Sequence, residues 1–285
     1  MKLLNFLFVL TFFSTSGAYA REYSVQSPDG ALSATVSDSD GTLRLSLLRT
    51  GVMLMQPSAI GINGVSRIAS KPKFTTVKDE TAAPFYRQQS ISTEGRQMDL
   101  RLSDGFGLQI RAYNQGIAYR FYTTQKGETT VETEKADYVF GQDTKGWFGY
   151  SENTKNPLAT AFQNYYDETT VSKAQDKLIF LPLTLSVGNV KVTLLESDLR
   201  SYPGMFMKAS DDRLSAVFAP YPKRMEYHKW RGMTYVAERE QFIARTTGQR
   251  TYPWRVFAVT TDDTQMPVND LVRSPTPRSS VRSTR

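Results

Sequence analysis

The feature that most constrains this chain is a period of two. From Tyr23 onward, short stretches alternate apolar with polar residues, and Gly, Asp, Asn and Pro separate them. Ser27-Pro28-Asp29-Gly30 predicts a turn, followed by a strand over 31–36 with Leu32, Ala34 and Val36 on one face. Asp38-Ser39-Asp40-Gly41 predicts a second turn. A strand over 42–49 then sets Leu43, Leu45 and Leu47 against polar neighbours, and the Gly51 that follows makes a hairpin into Val52-Met53-Leu54-Met55. Similar units recur at 87–92, 97–103, 106–113, 117–123, 177–187, 190–195, 214–220, 239–246 and 255–261. No stretch of 12 residues holds a 3.6-residue period, and the best helical candidate is the short segment 159–166. The pattern predicts an all-β fold, a large antiparallel two-sheet sandwich forming one domain.

Composition narrows the chemistry. The chain has no cysteine and a single histidine, His228. Disulfide scaffolds, Cys-ligated metals, thiol catalysis and multi-histidine metal sites are therefore excluded. Carboxylates, amides, hydroxyls and aromatic rings remain. The net charge of +7 comes from the ends, because residues 22–271 carry only +1. That near-neutral body argues against a nucleic-acid partner.

The ends differ from the body. Lys2, an apolar run from Leu3 to Phe13 and the small-x-small pattern Ala18-Tyr19-Ala20 predict a signal peptide over 1–20. The run is too short to span a bilayer comfortably, which takes about 20 residues. The expected location is secreted or periplasmic, with no membrane span. Residues 272–285 hold only Val, Arg, Ser, Pro and Thr, a composition that predicts a disordered basic tail.

Familiar catalytic signatures are absent: no Gly-rich phosphate loop, no G-x-S-x-G elbow, no H-E-x-x-H. His228 and the pair Asp262-Asp263 read more simply as surface groups than as a catalytic acid or base. Trp147 and Asn153, in the aromatic and amide-rich stretch 147–153, are candidate sugar contacts. A strand also ends on Glu196, followed by the irregular loop Ser197-Asp198-Leu199-Arg200-Ser201-Tyr202-Pro203-Gly204. A carboxylate so placed suits a hard cation such as calcium, which takes oxygen ligands. An acidic surface loop is the plain alternative.

Read in order, these segments form a pattern. Ser27-Pro28-Asp29-Gly30 opens it, and Tyr113-Asn114-Gln115-Gly116-Ile117-Ala118-Tyr119-Arg120-Phe121 is its most distinctive stretch. Glu196-Ser197-Asp198-Leu199, Tyr202-Pro203-Gly204-Met205-Phe206 and Tyr252-Pro253-Trp254-Arg255-Val256 complete it. The chain resembles the N-terminal domain of glycoside hydrolase family 97, with the domain running over 22–271. The resemblance implies a β-super-sandwich of the galactose-mutarotase-like kind, packed in the family against a catalytic (β/α)₈ barrel. Family members are calcium-dependent exo-acting α-glucosidases and α-galactosidases, so α-linked glucose or galactose oligosaccharides are the implied substrates of a complete enzyme. The resemblance places Glu196 as a ligand of the active-site calcium, with Asp198 as the fallback. It stops at Asn269-Asp270-Leu271-Val272, before any barrel, which implies a truncated or frameshifted member with no catalytic residue and no hydrolysis of its own. A stand-alone secreted carbohydrate-binding module is the alternative expectation. A mutarotase is disfavoured, because such acid–base work usually pairs His with a carboxylate.

Overall fold

The computed structural model describes residues 21–273, apart from 66, 84–87, 152–157, 159–162 and 175. Two large antiparallel sheets face each other. The first has eight strands in the spatial order Glu22–Gln26, Leu32–Ser37, Leu43–Arg49, Val52–Ile62, Glu134–Val139, Arg213–Phe218, Met205–Ser210 and Leu178–Ile179. The second has ten. Nine run in the order Asp167–Thr170, Lys145–Phe148, Leu183–Val187, Val190–Ser197, Trp254–Thr260, Gly116–Thr123, Phe106–Tyr113, Ser90–Arg101 and Lys73–Ala82, and Arg250–Thr251 pairs beside Gly116–Thr123.

The alternation in the sequence becomes the two faces of each sheet. Leu32, Ala34 and Val36 are buried, as are Leu43, Leu45 and Leu47, and the two strands pair with Ala34 opposite Leu47 and Val36 opposite Leu45. Their inner faces join Ile60 on the first sheet and Leu108, Ile110, Leu194 and Phe257 on the second in one hydrophobic core. The hairpin after Arg49 turns at Thr50 and Gly51, both at positive φ, the geometry that two-residue hairpin loops demand. The all-β sandwich expected from the sequence is the fold observed.

Several local expectations need correction: 239–246 is the end of Met233–Arg239 and the start of Ala244–Thr247 in another sheet, and one strand, Ser90–Arg101, spans most of 87–92 and 97–103. Residues 163–166 of the predicted helix 159–166 are not helical, and 159–162 lie outside the described residues. Among the described residues the only helical turns are short 3₁₀ segments. The unit 177–187 is two strands, Leu178–Ile179 in the first sheet and Leu183–Val187 in the second. Pro182 between them lacks the N–H that a continuous ladder needs. Finally, Lys73–Ala82 and the hairpin Pro222–His228/Met233–Arg239 are strands that the sequence pattern leaves unmarked. Both are largely exposed, so neither carries the apolar alternation that burial imposes.

A smaller apolar cluster lies on the outer face of the second sheet, where Tyr113, Ala118, Trp254 and Val256 pack under Leu271. The chain reaches this face by the closing 3₁₀ turns Asp263–Val268 and Leu271–Arg273. Asp262 caps the first of them, accepting from the Thr264 amide at 2.7 Å. Gly116 permits the close approach: a Cβ there would lie 2.1 Å from the Phe257 carbonyl oxygen and 2.5 Å from Leu271. We predict that Gly116→Ala destabilises the protein by about 2 kcal/mol or more in denaturant unfolding, because backbone on one side cannot yield.

Candidate functional site

The site builds on one end of the sandwich, where the strand Val190–Ser197 lies beside Trp254–Thr260 and Glu196 stands opposite Arg255. Both side chains are on the inner face, and Arg255 is fully buried. Its guanidinium reaches across to the first sheet, where Glu134 accepts from Nε and Nη2, both at 2.8 Å. Its Nη1 donates to Glu196 Oε1. The second Glu196 oxygen accepts from the Met205 amide at 2.9 Å, and the Tyr202 hydroxyl donates to Glu134 Oε2 at 2.7 Å. Just inside, the Tyr119 and Tyr138 hydroxyls join the sheets through a 2.8 Å hydrogen bond.

One guanidinium thus serves two carboxylates, and the surplus negative charge has to sit somewhere. Burial works against the Arg255 charge, but Glu134 and Glu196 outweigh it and hold the guanidinium well above its usual range. Burial raises the Glu196 carboxyl above its ordinary range, although Arg255 and the Met205 amide oppose the shift. The Glu196 side chain keeps 13% of its surface exposed against 3% for Glu134. The excess charge therefore lies at the rim, on Glu196. Burial and the Glu134 charge likewise push the Tyr202 hydroxyl far up, so it stays a donor.

A calcium ion at this rim would need oxygen ligands. Glu196 has lone pairs left on both oxygens and can lend one oxygen to a cation at the rim. A complete shell is not present: among the described residues no group of three or more His, Asp or Glu is arranged to hold a metal. Asp198, the fallback ligand, is less suited, because Arg200 Nε lies 3.1 Å from one oxygen and Arg120 Nη1 3.7 Å from the other.

The remaining candidates are dispersed. Trp147 is half-buried, with the Lys191 ammonium 4.6 Å from its ring centre, while Phe148 and Tyr150 nearby are buried. Asn153 lies outside the described residues. His228 is exposed, and its Nδ1 accepts from the Arg231 amide at the tip of the Pro222–His228/Met233–Arg239 hairpin. The sequence pattern did not reveal Glu134, Arg255 or Tyr202 as partners of Glu196. Their pairing depends on register and cross-sheet distance, and the Pro-Trp-Arg run was the only local signal.

On the outer face, Trp254 lies under two guanidinium groups, Arg120 at 4.3 Å and Arg111 at 4.7 Å from the ring centre. Asp79 holds Arg111 at 3.2 Å and accepts from the Tyr113 hydroxyl at 2.7 Å. Burial, with Arg111 adding to it, lowers Arg120 to about 10, which leaves it charged at neutral pH.

Comparison with known proteins identifies the frame. The profile described as Glycosyl-hydrolase 97 N-terminal matches residues 25–274. The chain belongs to this family. It is 33% identical to a retaining alpha-galactosidase of Bacteroides thetaiotaomicron, over 95% of this chain and 43% of that protein. The fold is similar to a glycoside hydrolase family 97 enzyme from Pseudoalteromonas sp. strain K8, solved with acarbose, with a TM-score of 0.66 at 15% identity over 84% of this chain and 36% of that one. It is also similar to a beta-arabinopyranosidase, with a TM-score of 0.64 at 15% identity, covering 84% of this chain and 40% of that one. The chain therefore spans less than half the length of these relatives. It is the N-terminal domain of a glycoside hydrolase family, and its described part contains no α-helix and hence no (β/α)₈ barrel.

The pH dependence of the rim follows from the Glu196 shift. A carboxyl raised in the folded state binds its proton more tightly there than in the unfolded chain. It favours folding below its unfolded value of about 4.3, and that contribution is lost as pH rises through the folded value. Glu196→Gln removes the loss while keeping an acceptor for the Met205 amide. In a chelator-treated sample, the melting temperature of Glu196→Gln relative to the parent should be more favourable at pH 7 than at pH 4. Arg255→Met should cost about 3–5 kcal/mol at pH 7, because two buried carboxylates lose their partner.

Proposed function

We propose that this chain is the non-catalytic N-terminal β-sandwich of a calcium-dependent exo-α-glycosidase, an α-glucosidase or α-galactosidase. In this reading it supplies one calcium-ligating oxygen from Glu196 and a wall of the active site to a (β/α)₈ barrel. The single observation that carries the reading is the family match over 25–274, in a chain that spans 43% of a retaining alpha-galactosidase. The rim geometry supports the ligand, since Glu196 bears surplus negative charge at the more exposed end of the cluster. Arg255 and the Met205 amide fix that carboxylate before any cation arrives. Calcium would supply a fixed positive charge for substrate oxygens, and this chain's part is to orient one of its ligands. The acarbose and panose held by the similar Pseudoalteromonas enzyme favour α-linked oligosaccharides as substrates of the whole enzyme. Export through the 1–20 segment, to the periplasm or beyond, belongs to the same proposal.

Two experiments test it. The purified chain with calcium should show no turnover of aryl α-glucosides or α-galactosides, and inhibitor-sensitive hydrolysis would overturn the reading. Fused in place of the N-terminal region of the similar alpha-galactosidase, the chain should support calcium-dependent hydrolysis. Glu196→Ala in that fusion should raise the calcium needed for half-activity about ten-fold or more. An unchanged calcium requirement would remove Glu196 from the metal.

An exposed apolar finger fits a domain that works against a partner. The hairpin Pro222–His228/Met233–Arg239 forms a two-stranded sheet of its own, and an isolated hairpin is marginally stable in water. Met225, Tyr227, Trp230 and Met233 are each more than half exposed, Trp230 at 86%. Such a surface is unusual on a monomer. The separated chain should self-associate in sedimentation velocity, and Trp230→Ser with Met225→Ser should shift it toward monomer without lowering the melting temperature.

A further inference from the structure

The hairpin Pro222–His228/Met233–Arg239 is charged differently at its two ends. Toward the base each charged side chain is engaged. Arg224 meets both Glu226 and Glu238, Lys223 lies 3.8 Å from Glu238, and Arg239 donates to the Pro220 carbonyl at 2.8 Å. At the tip, Lys229 and Arg231 flank Trp230, and all three are exposed. Among the described residues neither of these cations meets a carboxylate, and both acids of the hairpin are already held by Arg224. The tip thus carries two uncompensated positive charges around an indole that is 86% exposed.

The register distributes apolar groups to both faces. Met225 stands opposite Val236 and Tyr227 opposite Thr234, whereas Glu226 and His228 stand opposite Tyr235 and Met233. Alternate residues of a strand face opposite ways, so Met225 and Tyr227 lie on one face and Tyr235 and Met233 on the other. All four side chains are exposed. A protein that docks on a two-stranded sheet covers one face and leaves the other in water. A medium that surrounds the tip covers both. Trp and Tyr concentrate at the membrane–water interface, and anionic lipid headgroups attract Lys and Arg. The hairpin pairs with neither large sheet, so its tip can be enveloped without disturbing the core. No strand pairs with its two outer edges, and the hydrocarbon core does not tolerate open edges. Insertion is therefore shallow, at about the 5–10 Å depth of interfacial elements.

We infer that the tip of this hairpin is an attachment site for an anionic lipid bilayer. Trp230 sits at the headgroup level, with Lys229 and Arg231 against lipid phosphates and the Tyr and Met side chains on either side. An acidic protein would satisfy the two cations but leave one apolar face exposed. The inference names a partner for the exposed finger and rests on neither calcium nor a barrel.

Vesicles of phosphatidylcholine, alone or with about a third phosphatidylglycerol, test it on the full chain in chelator. Anionic vesicles should shift the tryptophan emission to the blue, and neutral ones should not. Trp230→Phe should abolish the shift, because Trp254 is buried and Trp147 is half-buried beside the Lys191 ammonium. Lys229→Glu with Arg231→Glu should weaken binding about twenty-fold or more, about five-fold for each attraction lost, at an unchanged melting temperature. The proposal fails if anionic vesicles leave the Trp230 emission unmoved, as they would for a finger that pairs only with a second copy. Equal binding to neutral and anionic vesicles also overturns it. So does full binding by the double variant, which would assign the contact to the apolar run 3–13 or the basic residues 272–285. None of these outcomes bears on the barrel-docking reading, which is decided by hydrolysis and calcium requirement in the fusion.

Discussion

The bridge from Arg255 to Glu134 is the interaction on which this end of the sandwich depends. A fully buried guanidinium on the second sheet meets a carboxylate on the first through two hydrogen bonds of 2.8 Å. Ion pairs of this kind contribute little net stability, since desolvation consumes most of the attraction. Their value is geometric: a bidentate fork fixes both distance and orientation. Two further groups at this rim depend on it. Tyr202 donates to the same Glu134, and Glu196 is held by the guanidinium nitrogen that Glu134 leaves free. A carboxylate that would otherwise sample many rotamers at a strand end stands in one place, with its residual charge facing out.

The strand Trp254–Thr260 distributes two kinds of chemistry to its two faces. Arg255 points into the sandwich, while its neighbour Trp254 lies on the outer face beneath Arg111 and Arg120. The indole offers a π face to both cations, which Asp79 and Asp198 face from their other sides. Inner and outer networks share a backbone yet no side chain. Perturbing one need not unfold the other.

The fold was legible because burial writes itself into the sequence as alternation. Leu32, Ala34 and Val36, or Leu43, Leu45 and Leu47, could be assigned to one face from spacing alone. Where burial is absent the signal vanishes. Lys73–Ala82 is held by backbone pairing with Ser90–Arg101, and the finger at Met225 to Tyr235 is exposed on both faces. Pro182 interrupts a run of strand-formers that otherwise reads as one element. At the site, Glu196 stood out because a strand ends there on a carboxylate. Its partners did not, because Glu134 is 62 residues away in sequence and meets Arg255 only when the sheets close. Trp147 read as an open ring, and the Lys191 ammonium that covers it is a neighbour only across the paired strands.

The loop after Val190–Ser197 explains how one short segment serves both faces. In a regular strand, residues 196 and 198 would project to the same side. Here the strand stops at Ser197, and Asp198 takes a left-handed backbone with φ of 58°. Asp and Asn adopt that conformation more readily than most side chains. The reversal sends Asp198 to the outer network, where it meets Arg120, while Glu196 stays with Arg255 inside. A β-branched residue at 198 would resist the left-handed turn and lack the charge that Arg120 and Arg200 face. The acidic pair in Glu-Ser-Asp is thus a fork: its first carboxylate is aimed at the rim, its second at the outer guanidinium groups, and the left-handed φ at Asp198 keeps the two chemistries apart.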